Sequence, residues 1–162
     1  MKYKDYLYGA YGSNLNLEQM YFRCPHSEVM GSMTLHGWKL KFSGVADVAK
    51  SKNDTVPLGL YRITEDCENA LDIYEGYPYL YRKEILTVNG IEEKLGTDKV
   101  MIYVMNRGET YPPSMPYLNC IIEGYRDFGL DEEYLQYAIK DAYAREASYT
   151  PKPKKKRLRL VK

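Results

Sequence analysis

The chain lacks the features that mark membrane and secreted proteins. Its mean hydropathy is −0.54, and no apolar run approaches the roughly 20 residues that a membrane-spanning helix needs. The first residues contain no hydrophobic stretch of the signal-peptide kind. Three cysteines, an odd number and widely spaced, do not form a disulfide framework, so we expect a cytoplasmic protein. Two histidines and no CxxC motif argue against a zinc site, and we expect no metal.

Positive charge is scarce in most of the chain. Seven of the 23 basic residues follow Glu146, so residues 1–146 hold 16 basic residues against all 22 acidic ones. An acidic body argues against nucleic acid as its main partner and leaves only the tail suited to one. The length of 162 residues predicts one domain, over 1–149, followed by a basic tail over 150–162.

Phenylalanine is also rare, with 3 residues against 18 tyrosines. Tyrosine combines apolar area with a hydroxyl group, which suits a hydrated pocket or an interface. A small core in which tyrosine replaces phenylalanine explains the same composition, and both interpretations stay open.

The pattern of turns and apolar residues predicts about six strands, most of them followed by short turns such as His36-Gly37 and Ser51–Asp54. Helices are predicted over Thr64–Gly76, Tyr117–Phe128 and from Asp131 to about Glu146. Strands joined by short turns favour an antiparallel arrangement over βαβ units. We therefore predict an α+β fold: a small mixed, mostly antiparallel β-barrel with helices packed outside.

Two places suggest chemistry. The turn Gly12-Ser13-Asn14 follows the first strand, and backbone N–H groups in such a turn form a nest for an anion. Glu75 falls at the end of the predicted helix 64–76, just before an unusually tyrosine-rich segment. Loss of hydration among aromatic rings raises a carboxyl pKa, which suits a general acid and base. A solvated helix-end glutamate is the simpler explanation of Glu75 taken alone.

Three segments together resemble the γ-glutamylcyclotransferase (AIG2-like) family. They are Tyr11-Gly12-Ser13-Asn14-Leu15 with Arg23-Cys24-Pro25, then Leu71–Gly76 with Tyr81-Arg82-Lys83, then Pro112–Tyr117 with the helix that follows. They occur in the family order and cover most of residues 6–145. The stretch between Glu75 and Tyr81 contains proline, is rich in tyrosine and departs from the family pattern. The resemblance therefore does not identify the amine that the substrate releases.

The resemblance implies an enzyme of the family fold that cyclises a γ-glutamyl amide to 5-oxoproline and releases the amine, without a cofactor. It implies Glu75 as the catalytic residue. The substrate-binding residues that it implies are Tyr11, Gly12, Ser13, Asn14, Leu15, Tyr103 and Tyr117. The expected partner is a small γ-glutamyl compound, as in glutathione metabolism, and the expected assembly is a monomer or homodimer.

Three other functions stay open at this stage. The same chemistry would serve to remove a γ-glutamyl protecting group in a biosynthetic pathway. The fold would alternatively bind a small anion without catalysis, although a buried Glu75 opposes anion binding. A third possibility places the function in the basic tail, with the body as its scaffold.

Overall fold

The computed structural model describes residues 1–148, so the predicted tail over 150–162 lies outside the described part. The strands are β1 (Tyr3–Ala10), β2 (Glu28–Phe42), β3 (Ala46–Thr64), β4 (Tyr81–Thr87) and β5 (Lys99–Met105). The helices are α1 (Leu17–Arg23), α2 (Glu65–Glu75), α3 (Glu92–Leu95), α4 (Met115–Asp127) and α5 (Glu133–Ala147). A single 3-10 turn, Ser13–Leu15, joins β1 to α1. Within residues 1–148, none of these helices has the length and apolar character to cross a membrane.

All five strands form one mixed sheet in the order β2-β3-β1-β5-β4. The central strand β1 runs antiparallel to β3 and parallel to β5. The other two neighbouring pairs, β2 with β3 and β4 with β5, are antiparallel. The prediction of an α+β fold with a mixed, mostly antiparallel sheet is therefore confirmed.

The prediction that this sheet closes into a barrel is wrong. In the described residues the sheet is open, with β2 and β4 as its edges. The first half of β3 extends beyond β1 and approaches β4 and β5 through side chains instead of a strand ladder. The Tyr81 hydroxyl donates to the Ala46 carbonyl at 2.9 Å, and the Met105 N–H donates to Asp47 Oδ1 at 3.0 Å. The sheet does not close into a barrel here, because these two contacts involve side chains and no backbone ladder joins β3 to β4 or β5.

Two predicted turns lie inside long strands. The prediction of separate strands around His36-Gly37 is wrong, because β2 continues through it to Phe42. The pairing passes from His36 opposite Thr55 to Trp38 opposite Lys50, so Ser51–Asp54 form a bulge facing one residue of β2. Gly37 adopts φ +83°, a backbone conformation that L side chains disfavour, at this irregularity. The turn signals in the sequence mark this bulge and not a chain reversal.

Helix α2 forms where the sequence predicts it. Thr64 caps its first turn by accepting from the Cys67 N–H at 3.3 Å, and Gly76 ends it in the left-handed region at φ +68°. The apolar face of α2 is only partly buried. Leu71 is inaccessible, whereas Tyr74 is 44% exposed and turns its hydroxyl toward the cavity described below.

The expectation of unpaired cysteines is wrong. Cys24 and Cys67 form a disulfide, with their Cα atoms 4.9 Å apart. Although 43 residues separate the two cysteines in the sequence, the end of α1 lies against the first turn of α2 in the fold. Cys120 is the remaining free thiol. The expectation of a cytoplasmic location loses the support it drew from unpaired cysteines and stays a prediction.

Candidate active site

A cavity of about 260 Å³ lies where the sheet stays open. Its walls come from the turn after β1, the start of β3, the end of α2, the β4–β5 pair and the start of α4. Six of its lining residues are tyrosines: Tyr8, Tyr11, Tyr74, Tyr81, Tyr103 and Tyr117. The tyrosine surplus of the sequence therefore supplies a pocket wall with hydroxyl groups, in addition to filling the core.

The turn after β1 forms one wall through Gly12, Ser13 and Asn14. The first hydrogen bond within the turn is donated by the Leu15 N–H to the Gly12 carbonyl at 3.0 Å. The backbone N–H groups of residues 12–14 come before it in the chain and donate to no carbonyl of the turn. The Asn14 carbonyl accepts from the Tyr61 hydroxyl at 2.6 Å, which anchors the turn to β3. The Ser13 hydroxyl lies 2.9 Å from the Tyr74 hydroxyl and links the turn to α2.

Glu75, the last residue of α2, forms the part of the wall next to this turn. Its carboxylate oxygen Oε1 lies 3.4 Å from the Asn14 side-chain nitrogen, so α2 and the turn meet at this point. Burial removes water from the carboxyl group and raises the pKa of Glu75 to about 7, while Arg23 acts in the opposite direction. A carboxyl group with such a pKa exists in both protonation states near neutral pH, which general acid and base catalysis requires.

Arg23, the last residue of α1, fixes the orientation of Asn14. Its guanidinium donates to Asn14 Oδ1 at 2.6 Å. The side-chain nitrogen of Asn14 consequently faces the other way, toward the Tyr8 hydroxyl at 3.0 Å and toward Glu75. The guanidinium also lies 3.5 Å from the centre of the Tyr74 ring, a cation–π contact. Arg23 thereby connects both walls of the cavity.

The other predicted tyrosines line the cavity with their hydroxyl groups already engaged. Tyr11 donates to the Tyr103 carbonyl at 2.6 Å, and the Tyr117 hydroxyl accepts from the Ala46 N–H at 2.9 Å. Burial raises the pKa of each of these phenols above its ordinary value. They therefore stay protonated at neutral pH and act as hydrogen-bonding groups.

A charged cluster outside the cavity holds Tyr103 in place. The Tyr103 hydroxyl donates to Asp72 Oδ1 at 2.6 Å. Lys83 bridges Asp72 at 2.8 Å and Glu68 at 3.2 Å. Because Asp72 and Glu68 both belong to α2, the cluster ties α2 to β4 and β5 next to Glu75.

Leu15 is the exception among the residues that the sequence suggests for binding. It is inaccessible in the core and does not line the cavity. A Cβ atom added to Gly59 or Gly124 would come within 2.7 Å of Leu15 atoms, so the side chain fills a tight space beneath the turn. It supports the turn from below.

Four residues at the site have no role in the sequence-based description: Tyr8, Arg23, Tyr74 and Tyr81. Arg23 and Tyr81 stand within the segments that resemble the family, so their position was a usable signal. Tyr74 stands within the Leu71–Gly76 segment, so the same signal was available for it. Among residues 1–148, no group of histidine, cysteine and acidic side chains is arranged to hold a metal ion.

Comparison with known proteins gives a consistent result. A family model described as "Gamma-glutamyl cyclotransferase, AIG2-like" matches residues 8–119. Gamma-glutamylcyclotransferase from Bos taurus is 30% identical over 144 residues, covering 81% of this chain and 76% of that protein. The Homo sapiens protein of the same name is 29% identical over 148 residues, with the same two coverages. A solved structure of a gamma-glutamyl cyclotransferase superposes with a TM-score of 0.70 at 26% identity, over 82% of this chain and 85% of that one.

Proposed function

Because this chain belongs to the gamma-glutamyl cyclotransferase, AIG2-like family, we propose that it is a γ-glutamylcyclotransferase in which Glu75 transfers the proton. The substrate is a small γ-glutamyl amide, and the products are 5-oxoproline and a free amine. The observation that carries the assignment of Glu75 is its place in the cavity wall, 3.4 Å from Asn14, with a pKa raised to about 7.

The reaction needs no nucleophile from the protein. The substrate's own α-amine attacks its γ-carbonyl carbon, forming the ring bond, and the bond from that carbon to the leaving nitrogen breaks. The protein must hold the glutamyl chain in a folded conformation, which lowers the barrier by removing conformational freedom. The size of the cavity, about 260 Å³, fits a folded glutamyl group.

Glu75 completes the proton balance. As a carboxylate it takes a proton from the α-ammonium group, which creates the attacking amine. As a carboxylic acid it gives that proton to the departing nitrogen. The α-nitrogen, once bonded to the carbonyl carbon, carries one proton more than the lactam, and Glu75 passes this second proton to the released amine, which leaves as an ammonium group. The residue thereby ends as a carboxylate, its starting state. The backbone N–H groups of the 12–14 turn hold the substrate carboxylate or the negative oxygen that develops on the γ-carbonyl.

The test of Glu75 is the release of 5-oxoproline from γ-glutamyl amides. Glu75→Gln keeps the shape of the side chain and removes the base, so we expect turnover to fall by about 10²–10⁴-fold. Glu65→Gln, an exposed position at the other end of α2, is the matched control and should retain activity. A folded Glu75→Gln protein with near wild-type turnover would refute the assignment.

The test of the turn is Gly12→Ala. A Cβ atom at this position would lie 3.0 Å from the Ala46 Cβ and 3.4 Å from the Tyr117 hydroxyl, so the turn must shift. We expect weaker binding of 5-oxoproline and a loss of kcat/KM of up to about 10²-fold. Binding is measured by calorimetry and folding by thermal melting. Unchanged 5-oxoproline affinity in the folded variant would remove the turn from the binding site.

A non-catalytic anion binder is the competing function. It predicts that the protein binds 5-oxoproline but releases none from any γ-glutamyl amide. The buried carboxyl group of Glu75 argues against it, because a carboxylate in the cavity repels an anion unless the group has a chemical role. Removal of a γ-glutamyl protecting group uses the same chemistry, and only the identity of the released amine distinguishes it.

A further inference from the structure

The hydroxyl group of Tyr8 has no role in the mechanism given so far, although Tyr8 lines the cavity. The residue lies on the central strand β1, and its side chain is buried. Its ring stacks on the ring of Tyr61, with 6.0 Å between the two centres, and meets the ring of Tyr103 edge-on at 5.9 Å. These two contacts hold the ring, so the core determines where the hydroxyl oxygen lies.

Two hydrogen bonds decide in which direction the Tyr8 hydroxyl donates. The Arg23 guanidinium donates to Asn14 Oδ1 at 2.6 Å, which turns the amide nitrogen of Asn14 toward Tyr8. That nitrogen donates to the Tyr8 oxygen at 3.0 Å. A phenol carries one hydrogen of its own, and among residues 1–148 no protein atom accepts it. The hydrogen is therefore available to a molecule bound in the cavity.

The other tyrosines of the cavity differ from Tyr8 in their hydrogen bonds or in their place. Three of them donate to protein acceptors at 2.6–2.9 Å: Tyr11, Tyr81 and Tyr103. Tyr74 shares a hydrogen bond with Ser13. Tyr117 also accepts, from a backbone N–H, but its hydroxyl lies beside Gly12, at 3.4 Å from the position of an added Cβ atom.

Asn14 places the Tyr8 hydroxyl next to Glu75. The amide nitrogen that donates to Tyr8 also lies 3.4 Å from Glu75 Oε1. In the proposed reaction Glu75 exchanges protons with the attacking α-nitrogen and with the leaving nitrogen. In the tetrahedral intermediate both nitrogens are bonded to the former γ-carbonyl carbon, and so is the oxygen that has become negative. A donor beside Glu75 therefore faces this oxygen.

We propose that Tyr8 is a further catalytic residue, whose O–H group donates a hydrogen bond to the γ-carbonyl oxygen of the substrate as that oxygen becomes negative. This inference rests on the proposed function. Attack by the α-nitrogen moves an electron pair of the C=O bond onto the oxygen, and the pair returns when the bond to the leaving nitrogen breaks. The hydrogen stays on the phenol throughout, because burial raises the pKa of Tyr8 well above its ordinary value.

Tyr8→Phe tests the role, because it removes the donor and keeps the ring. With γ-glutamyl-alanine and γ-glutamyl-ethylamide as substrates, we expect kcat for release of 5-oxoproline to fall by about 10²-fold. KM should change by less than about fivefold, since the carbonyl oxygen of the bound substrate is uncharged. Wild-type kcat in a folded Tyr8→Phe protein, with folding measured by thermal melting, would overturn the inference.

Tyr125→Phe is the matched control. Tyr125 is buried, lies outside the cavity lining, and its hydroxyl has no hydrogen-bond partner among residues 1–148. This variant also loses a buried tyrosine hydroxyl, and its kcat should stay near the wild-type value. An equal loss of kcat in Tyr125→Phe would mean that the fall in Tyr8→Phe does not come from a contact in the cavity, and would overturn the inference.

A double variant separates contact with the substrate from support of Asn14. Tyr8→Phe also removes an acceptor from the Asn14 amide, so a tyrosine that acted only through Asn14 would have no effect once Asn14 is alanine. We expect Tyr8→Phe to lower kcat by a further tenfold or more, on the order of its direct effect, in an Asn14→Ala protein. No further loss in the folded double variant would overturn the direct contact.

The wild-type assay distinguishes failure of the inference from failure of the proposed function. If the wild-type protein releases 5-oxoproline from neither amide, the proposed function is rejected and the inference with it. If the wild-type protein releases it and Tyr8→Phe does so at the same kcat, only the role of Tyr8 is rejected.

Discussion

At the scale of single residues, the loss of water around Glu75 sets its affinity for a proton. Four buried tyrosine rings, those of Tyr8, Tyr11, Tyr81 and Tyr103, line the same cavity. Their neutral hydroxyl groups do not compensate a carboxylate as water does, so the charged form is disfavoured. Arg23 is the cation that acts against this effect.

The pH dependence of kcat/KM follows from that balance. Only the carboxylate of Glu75 accepts the substrate proton, so we expect activity to rise with pH through an apparent pKa of about 7. Replacing Arg23 by glutamine removes the cation that favours the carboxylate, so this acid limb should move to higher pH. Arg23→Lys should keep the limb near its original position. A limb that stays in place in Arg23→Gln would show that the guanidinium acts only by supporting the turn.

The same burial means that the carboxylate form of Glu75 destabilises the folded protein. Its folded-state pKa lies above the unfolded value, so wild-type stability is full below about pH 4.3 and declines as pH rises through about 7. Glu75→Gln does not titrate, and its free energy of unfolding relative to wild type should therefore increase by about 2 kcal/mol between pH 5 and pH 8. Urea unfolding at both pH values measures it. A relative stability that is the same at both values would contradict the raised pKa.

At the scale of elements, local signals were sufficient for α2 and insufficient for the sheet. Thr64 and Gly76 act on their own turns of chain, so a capping residue and a left-handed glycine place the helix from sequence alone. The β2–β3 bulge at Ser51–Asp54 shows the opposite case. Turn-forming residues look the same in a bulge and in a chain reversal, and only pairing with a distant strand distinguishes them.

The candidate site shows the same contrast between local motifs, which the sequence reveals, and long-range contacts, which it does not. Glu75 and the 12–14 turn belong to contiguous motifs and were predicted together, and both line the same cavity in the structure. The link from Arg23 through Asn14 to Glu75 joins residues up to 61 positions apart. No periodicity or spacing in the sequence encodes that link.

The disulfide between α1 and α2 joins the elements that carry Arg23 and Glu75. Closing a loop across 43 residues restricts the unfolded chain, and replacing both Cys24 and Cys67 by alanine should lower the free energy of unfolding by about 2–4 kcal/mol. Cys120→Ala is the control, because that thiol forms no disulfide. Urea unfolding in the absence of reductant gives the comparison. Equal stability of the double variant and the control would mean that the pair contributes nothing.

At the scale of the whole molecule, we expect the reaction to require only residues 1–149. Every residue that lines the cavity lies between Tyr8 and Tyr117, whereas the basic tail lies outside the described residues. Deleting residues 150–162 should leave kcat near wild type, with at most a modest rise in KM for anionic substrates that disappears in high salt. Steady-state kinetics at two salt concentrations measures this. A large loss of kcat in high salt, with the protein folded, would assign the tail to the site.

The central position of β1 has a consequence for synthesis on the ribosome. This strand leaves the exit tunnel before both of its neighbours, β3 and β5, and Tyr8 pairs with Tyr61 and Met101. At a synthesis rate of about 5–20 residues per second, the nascent strand waits for several seconds with both edges unpaired. The cavity wall is complete only once Tyr117 has emerged. We therefore expect catalytic competence only after Tyr117 has emerged, and we expect the unpaired strand to be prone to aggregation until β3 has followed it.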